Sequence, residues 1–410
     1  MLVFILSHEK TKTSQQIKLS IEGLNLQLKI NMLPFNKLRE YRDTSHNNFV
    51  FLVNVHQPFH INDFKNCYEN INRLRDEECG IVVGDKGNNF NIICIRNKKL
   101  VEYCNGSTNI AFQRYVLMDI YLYLYQNCKL KFRTLNRVRS NQRYLSLDRQ
   151  LIMEEKHISP IIQYRHINIK KKMTEKISIV MCTYNNADYL DWSIYSVLSQ
   201  TVGNWELVII NDGSSDQTKE ILDRYNGYPS IRIIHSMQNR GKASCLNQAL
   251  QLITGGWIIE LDADDWLAEN CLEIIDPILG NANKGTDALF YGNYVEWKER
   301  TRDQKLFYSK EINGPDVFHS EEYLNKPFAL APRIYNVELL KQVGGWNVND
   351  PSQGKMFEDV YMICSLQKKF KVIKINRLLY HRRLRVKSVT NQSAIPFTKW
   401  RNWLRKHLNL

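Results

Sequence analysis

Between residues 177 and 261, short apolar runs alternate with segments of helical period, and this constrains the fold more than any other feature of the chain. The runs at 177–182, 206–211, 231–235 and 257–261 read as strands, and the intervening segments 189–200, 217–225 and 243–253 read as helices. Such alternation predicts a parallel sheet covered by helices on both faces. In open sheets of this kind ligands bind beyond the carboxyl ends of the strands. The chemistry is therefore expected in the loops after residues 182, 211, 235 and 261.

Each of those loops carries polar side chains. Thr183, Tyr184, Asn185 and Asn186 follow the first strand; they can hydrogen-bond a base or ribose, or simply cap the next helix. Asn211-Asp212-Gly213-Ser214-Ser215-Asp216 follows the second. There Gly213 permits a tight turn and Ser214, Ser215 or Asp216 can cap the following helix. Asp212 is left at the strand end, pointing into the crevice, where it can accept a hydrogen bond from a base N–H. The fourth loop, Asp262-Ala263-Asp264-Asp265, places three carboxylates in four positions. They repel one another unless something positive binds them. A hard divalent cation, Mg²⁺ or Mn²⁺, prefers such oxygens and can bridge two phosphates as well.

Together the four loops resemble the family-2 glycosyltransferases, inverting enzymes with a GT-A fold. The matching pieces are Ile179-Val180-Met181-Cys182-Thr183-Tyr184-Asn185, Asn211-Asp212-Gly213-Ser214-Ser215-Asp216, Asn239-Arg240-Gly241-Lys242 with Asn247, and Leu261-Asp262-Ala263-Asp264-Asp265. The resemblance implies a nucleotide-sugar site that includes Thr183, Asn185, Asp212, Asn239 and Lys242. Asp262 and Asp264 would be the D-x-D pair at ribose and metal, with Asp265 sharing the metal. It implies a nucleotide diphosphate sugar as donor, UDP being the commonest nucleotide, and a hexose or N-acetylhexosamine as the transferred group.

Transfer also needs a base for the acceptor hydroxyl and stabilisation of the departing diphosphate. Phe357-Glu358-Asp359 follows Gly344-Gly345-Trp346-Asn347 much as the family's E-D motif follows its glycine-rich acceptor segment. By that resemblance Asp359 is the candidate base, and Glu358 orients it or contacts the acceptor. Where the family often places a histidine, Ser388-Val389-Thr390 sets a register that puts Arg385 at the equivalent position. Arginine cannot ligate a metal as imidazole does, but it grips phosphate oxygens in bidentate fashion. Arg383 or Arg385 is thus expected as the electrostatic clamp, and His381 is not expected to be a ligand.

The rest of the chain bears on organisation and setting. With 410 residues it can hold two domains. The polar stretch 154–176 separates them, giving an N-terminal mixed α/β domain at 1–173, the transferase domain at 174–390 and a basic tail at 391–410. In the first domain 49–53 and 80–83 read as strands, 90–95 and 100–103 as a hairpin, and 112–128 as a buried helix. Its segments Asn54-Val55-His56 and Gly84-Asp85-Lys86 carry no D-x-D, so acceptor binding or assembly is the expected role.

Nine cysteines without a C-x-x-C pair suit reduced thiols, and the apolar run at 1–6 is too short for a signal-peptide core. A cytoplasmic protein is therefore expected. The formal charge of +14 favours an anionic partner. The tail, with Trp400 and Trp403 among Lys399, Arg401, Arg405 and Lys406, suits the face of an anionic membrane where a lipid-linked glycan acceptor would lie; packing of both rings on the catalytic domain is the rival reading. A protein acceptor is an alternative. So is a non-catalytic sugar- or nucleic-acid-binding module, although three carboxylates in one loop would repel a phosphate backbone, and no nucleic-acid partner is expected. The segment 296–327 is expected to form an acceptor wall or a lid.

Overall fold

The computed structural model describes residues 1–6, 12–24, 26, 28–33, 38, 41–42, 48–54, 60–75, 77–84, 90–106, 117, 120–121, 123–124, 131–135 and 157–158, and then 171–410 apart from 302–304, 317, 327 and 386–395. The chain divides into two compact units, Met1–Asn168 and Ile169–Leu410.

The N-terminal unit carries a six-stranded mixed sheet. Its strands are β1 (Leu2–Leu6), β2 (Lys29–Leu33), β3 (Phe49–Asn54), β4 (Glu78–Gly84), β5 (Phe90–Arg96) and β6 (Lys131–Leu135), in the order β2-β1-β3-β5-β4-β6. Three helices are described: α1 (Lys12–Glu22), α2 (Ile61–Asn70) and α3 (Asn97–Gly106). The hairpin expected between 90–95 and 100–103 does not form. Strand β5 pairs instead with β3 and β4, and its end runs directly into α3. The physical reason is periodicity: Leu100, Tyr103 and Cys104 are buried together, an i, i+3, i+4 stripe that a helix satisfies and a strand does not. Most of the helix expected at 112–128 lies outside the described residues, as do Val55, His56, Asp85, Lys86 and most of the stretch 154–170. Leu117, Ile120 and Leu124 within that helix are buried.

The C-terminal unit is a nine-stranded mixed sheet of order β11-β15-β12-β14-β10-β7-β8-β9, with β13 paired to β12. The strands are β7 (Lys171–Thr183), β8 (Val202–Asn211), β9 (Ile231–His235), β10 (Trp257–Glu260), β11 (Trp266–Leu267), β12 (Asp287–Arg300), β13 (Lys305–Ile312), β14 (Arg333–Asn336) and β15 (Lys371–Leu384). The helices are α4 (Ala187–Leu198), α5 (Thr218–Asp223), α6 (Lys242–Leu250), α7 (Cys271–Gly280), α8 (Ser320–Asn325), α9 (Val337–Gln342), α10 (Glu358–Gln367) and α11 (Phe397–Leu408). Strands β10, β7, β8 and β9 are parallel, as the alternation predicts. Beyond β10 the sheet turns mixed, because β14 runs antiparallel to both β10 and β12, and β15 runs parallel to β12.

Successive residues of the central strands feed opposite cores. Ile177, Ile179 and Met181 pack with α4 and α7, whereas Val180, Val208 and Ile258 pack with α6, α9, α10 and α11. A strand covered on both sides reads as a continuous apolar run, which is why these strands are legible. Two expectations change. The segment 296–327 is mainly the β12–β13 hairpin followed by α8, paired from Tyr294↔Ile312 to Arg300↔Lys305, so a ladder rather than a lid occupies most of it. The C-terminal residues are not a detached tail. Helix α11 buries Trp400 and Leu404 in the core of its own unit, and Trp403 packs on Tyr361 and His407, so the aromatic side of the helix faces protein. Among the described residues no helix is long and apolar enough to cross a membrane.

Candidate active site

The loops after β7, β8 and β9 are stitched to one another. Asn185, with φ +53, accepts from the amide of Ser215 at 2.8 Å through its side-chain oxygen and donates its own N–H to Ser214 Oγ at 2.9 Å. Its amide oxygen therefore builds the loop before it can serve a nucleotide. Asp212 does not stand free in the crevice. It is buried, and its two oxygens accept the N–H groups of Arg240 and Gly241, each at 2.8 Å. Those amides lie at the turn into α6, where Gly241 has φ +87, and have no helical carbonyl to bond. A carboxylate beside them satisfies both. Thr183 Oγ1 is buried without a hydrogen-bond partner, an acceptor and donor left open at the strand end. Asn239 is exposed on the same turn.

The acidic loop is resolved by the chain's own cations. Lys242, first residue of α6, brings Nζ to Asp262 Oδ1 at 2.5 Å, Glu260 Oε1 at 2.7 Å and Glu358 Oε1 at 3.2 Å. Burial opposes the ammonium charge, but these three carboxylates reverse that and hold Lys242 well above the usual lysine range. Arg333, directly after the cis Ala331-Pro332 bond, is buried and grips Glu260 through Nε and Nη2 at 2.9 and 2.8 Å. The same guanidinium reaches Asp262 Oδ2 at 3.4 Å and Asp359 Oδ2 at 3.6 Å. Burial would raise the carboxyl of Asp262, yet Lys242 and Arg333 hold it well below the usual carboxylate range. Its N–H also donates to Tyr380 Oη at 3.2 Å.

Asp264 and Asp265 face a second set of cations. Arg385 Nε donates to Asp264 Oδ2 at 2.6 Å, and its Nη2 reaches Asn186 Oδ1 at 3.0 Å. Arg383 is almost fully enclosed: its amide donates to Asp265 Oδ1 at 2.7 Å, Nε to the Asp264 carbonyl at 2.9 Å and Nη1 to Glu299 Oε2 at 2.7 Å. Both guanidinium groups lie over the Tyr189 ring, at 4.7 Å for Arg383 and 4.5 Å for Arg385. The two arginines thus divide the work expected of either. Arg383 is committed to Glu299 and the loop backbone, while Arg385 is held, among the described residues, by Asp264, Asn186 and the Tyr189 ring.

Asp265, expected to share a metal with Asp262 and Asp264, has its Oδ1 taken by the amide of Arg383. Asp265 is buried, and burial together with Asp264 and Asp262 pushes its carboxyl well above the usual range. Among the described residues no three His, Cys, Asp or Glu side chains converge as a metal site. His381 is a core residue, stacked on Trp266 at 5.3 Å and accepting from Trp297 Nε1 at 3.2 Å. Ser388, Val389 and Thr390, which set the register for Arg385, lie outside the described residues.

On the acceptor side, Glu358 and Asp359 open α10, where the helix N-terminus favours negative charge. Phe357 precedes them at φ +60, a left-handed conformation that costs a non-glycine residue about 1–3 kcal/mol and persists only where its surroundings enforce it. Asp359 Oδ1 accepts from the amide of Val360 at 2.8 Å. Burial, with Asp359 and Glu260 adding to it and Lys242 opposing, pushes the Glu358 carboxyl up to about 7. Glu260, Arg333, Glu299 and Tyr189 are the site residues that loop reading missed. A lone glutamate in the apolar run Trp257-Ile258-Ile259-Glu260 was the available signal, since such a group needs a buried cation.

Comparison with known proteins bears on this geometry. The family described as Glycosyl transferase family 2 matches residues 178–344. Glycosyltransferase GlyA of Streptococcus pneumoniae serotype 4 is 25% identical over 242 residues, covering 55% of this chain and 32% of that protein. The UDP-Glc:alpha-D-GlcNAc-diphosphoundecaprenol beta-1,3-glucosyltransferase WfgD of Escherichia coli is 36% identical over 120 residues, 29% of this chain and 45% of that one. Among solved structures, S. aureus TarS 1–349 in complex with UDP-GlcNAc aligns at a TM-score of 0.42 and 18% identity, over 56% of this chain and 66% of that one, a likeness too loose to carry an argument. The chain thus spans less than half the length of either relative. Residues 178–344, which lie on the mixed α/β sheet of the C-terminal unit, thus match Glycosyl transferase family 2.

Proposed function

We propose that the C-terminal unit is an inverting transferase that moves a hexose or N-acetylhexosamine from a nucleotide diphosphate sugar, UDP-linked in the first instance, to a hydroxyl of a glycan or lipid-linked acceptor. One observation carries the reading: a single buried guanidinium, that of Arg333, contacts both the donor-side Asp262 and the acceptor-side Asp359. Donor carboxylate and candidate base are therefore held within one side chain's reach, as a direct displacement requires. Asp359 accepts the proton of the acceptor hydroxyl while that oxygen attacks the anomeric carbon. The bond from that carbon to the diphosphate oxygen breaks, and the configuration inverts.

Arg385 is the group that meets the departing diphosphate, and Thr183 offers its unpaired hydroxyl to the nucleoside. A divalent cation, Mn²⁺ or Mg²⁺, would be held by Asp262 and Asp264, since magnesium-type sites commonly use one or two carboxylates and complete their shell with phosphate and water. Its chemistry there is neutralisation of diphosphate charge. The UDP donor and lipid-diphosphate acceptor in the name of the E. coli relative support this choice of substrates.

The test is a panel of nucleotide sugars with Mn²⁺ or Mg²⁺, following release of nucleoside diphosphate. Release from one donor is expected, strongly reduced in Asp264→Ala. In Asp359→Ala it should fall by about 10²- to 10⁴-fold, the usual worth of a general base. No release from any donor, with no donor binding by calorimetry, would overturn the proposal.

A further inference from the structure

Beyond the last residue matched by the family, the chain continues into a segment that holds the candidate base from behind. Asp350 is buried and is the centre of this segment. Its Oδ1 accepts the amide of Gly354 at 2.6 Å, and its Oδ2 accepts both Ser352 Oγ at 2.6 Å and the indole Nε1 of Trp400. Ser352 Oγ in turn accepts the amide of Met356 at 3.2 Å. Gly354, at φ +69, presents its carbonyl to the amide of Ala243 at 3.0 Å, one residue after Lys242; a Cβ there would lie 2.8 Å from that of Ala243. The segment ends at Phe357, whose left-handed backbone sets the entry of Glu358 and Asp359 into α10 and whose ring meets Phe397 at 5.1 Å and Trp400 at 5.0 Å.

Helix α11 is itself clamped to the unit. Arg405 bonds Glu321 at 2.8 Å and Asn325 at 3.0 Å on α8, Arg401 bonds the Leu324 carbonyl at 3.2 Å, and Lys368 bonds the Leu408 carbonyl. Trp400 therefore touches the segment twice, by a hydrogen bond to Asp350 and by ring contact with Phe357, from a helix that cannot easily shift. A left-handed phenylalanine persists only where packing enforces it, and the rings that enforce it here belong to α11.

We infer that Trp400 is a positioning residue for the transfer reaction: with Asp350 it fixes the 350–357 segment and so the placement of Asp359. The inference rests on Asp359 being the base. Steady-state nucleotide release and amide hydrogen exchange are to be measured on the full chain for wild type, Trp400→Phe, Asp350→Asn and Trp403→Phe, with folding checked by circular dichroism. Trp400→Phe keeps a ring but removes the N–H donor; Asp350→Asn weakens the same node from the other side should the first variant not fold.

The expected result for either variant is a fall in kcat of about 10-fold or more with donor KM within about 3-fold. Exchange across 350–360 should be about 10-fold faster. Trp403→Phe, which does not reach Asp350, should stay within about 2-fold of wild type in all three. A kcat within 2-fold of wild type, or unchanged exchange, in folded Trp400→Phe or Asp350→Asn would overturn the inference. If wild type releases no nucleotide from any donor, the proposed function fails separately, and the exchange result alone decides whether Trp400 holds the segment.

Discussion

Two carboxylates of one loop, Asp262 and Asp265, meet opposite fates. Around Lys242 and Arg333, the carboxylates of Glu260 and Asp262 are held ionised below their ordinary range, while Glu358 at the edge of the same grouping is pushed up to about 7. Around Arg383 and Arg385, Asp265 is driven well up although Asp264, one residue before it, is paired at 2.6 Å. Desolvation acts on Glu260, Asp262, Glu358 and Asp265 alike and by itself favours the neutral acid. Asp262 and Asp265 differ in whether a cationic nitrogen reaches the carboxylate oxygens directly, and Glu358 shares Lys242, at 3.2 Å, with the closer Glu260 and Asp262. Asp262 has two such nitrogens within 3.4 Å, whereas Asp265 is met by a backbone amide. A cluster of acids in sequence is thus not one electrostatic object in the fold.

Breaking the first grouping should have the largest effect. Arg333→Met removes the cation that grips Glu260 and leaves that carboxylate buried. Loss of one partner of a buried pair costs about 3–5 kcal/mol, so urea denaturation should show destabilisation on that scale. The pair variant Arg333→Met with Glu260→Leu should recover a large part of it, and equal losses in the single and pair variants would sink this account.

The pH dependence sharpens the comparison further. Glu358 holds its proton in the folded state up to about 7 but loses it near 4.5 when unfolded. Between those values the folded state binds more protons, so the contribution of this group to stability falls as pH rises from about 4.5 to 7. The ceiling is about 3 kcal/mol, at roughly 1.4 kcal/mol per pH unit. Denaturation midpoints at pH 5 and pH 8 should lie closer together in Glu358→Gln than in wild type; an unchanged gap would show that the group does not titrate in this window.

The second grouping should yield the smallest effect and the one most confined to ligand binding. Arg385→Ala removes charge-assisted hydrogen bonds worth about 1.5–3 kcal/mol, so UDP should bind about 10- to 100-fold more weakly by calorimetry, with little change in thermal midpoint. Arg383→Ala should behave in the opposite way, lowering the midpoint first, because its guanidinium is spent on Glu299 and the loop carbonyl. Equal effects of the two on UDP affinity would remove the distinction between them.

Much of the site was legible because its residues sit where a parallel sheet must place them. Thr183, Asp212, Lys242, Asp262 and Asp264 follow strands that read as continuous apolar runs, and polar residues at such ends have few structural reasons to be there. Their individual bonds were not legible. Asp212 looked free from its turn, yet the amides of Arg240 and Gly241 lie 28 and 29 residues further on and take both its oxygens. Within helix α3 the residues 100–103 read as a strand, because four residues of mixed pattern do not separate a period of 2 from one of 3.6 without knowledge of which side is buried.

The sequence by itself determined the alternating elements, the parallel half of the sheet, the family resemblance and the positions of the polar loops. All of these depend on local period and on residue type at strand ends. Tertiary structure alone decided which cation answers which carboxylate. Glu260 and Arg333 are 73 residues apart and Asp264 and Arg385 are 121 apart, and the tail tryptophan that anchors Asp350 lies 50 residues beyond it. Charge pairing and burial act through space, so residues that no local pattern connects set the electrostatics of the loop that the pattern revealed.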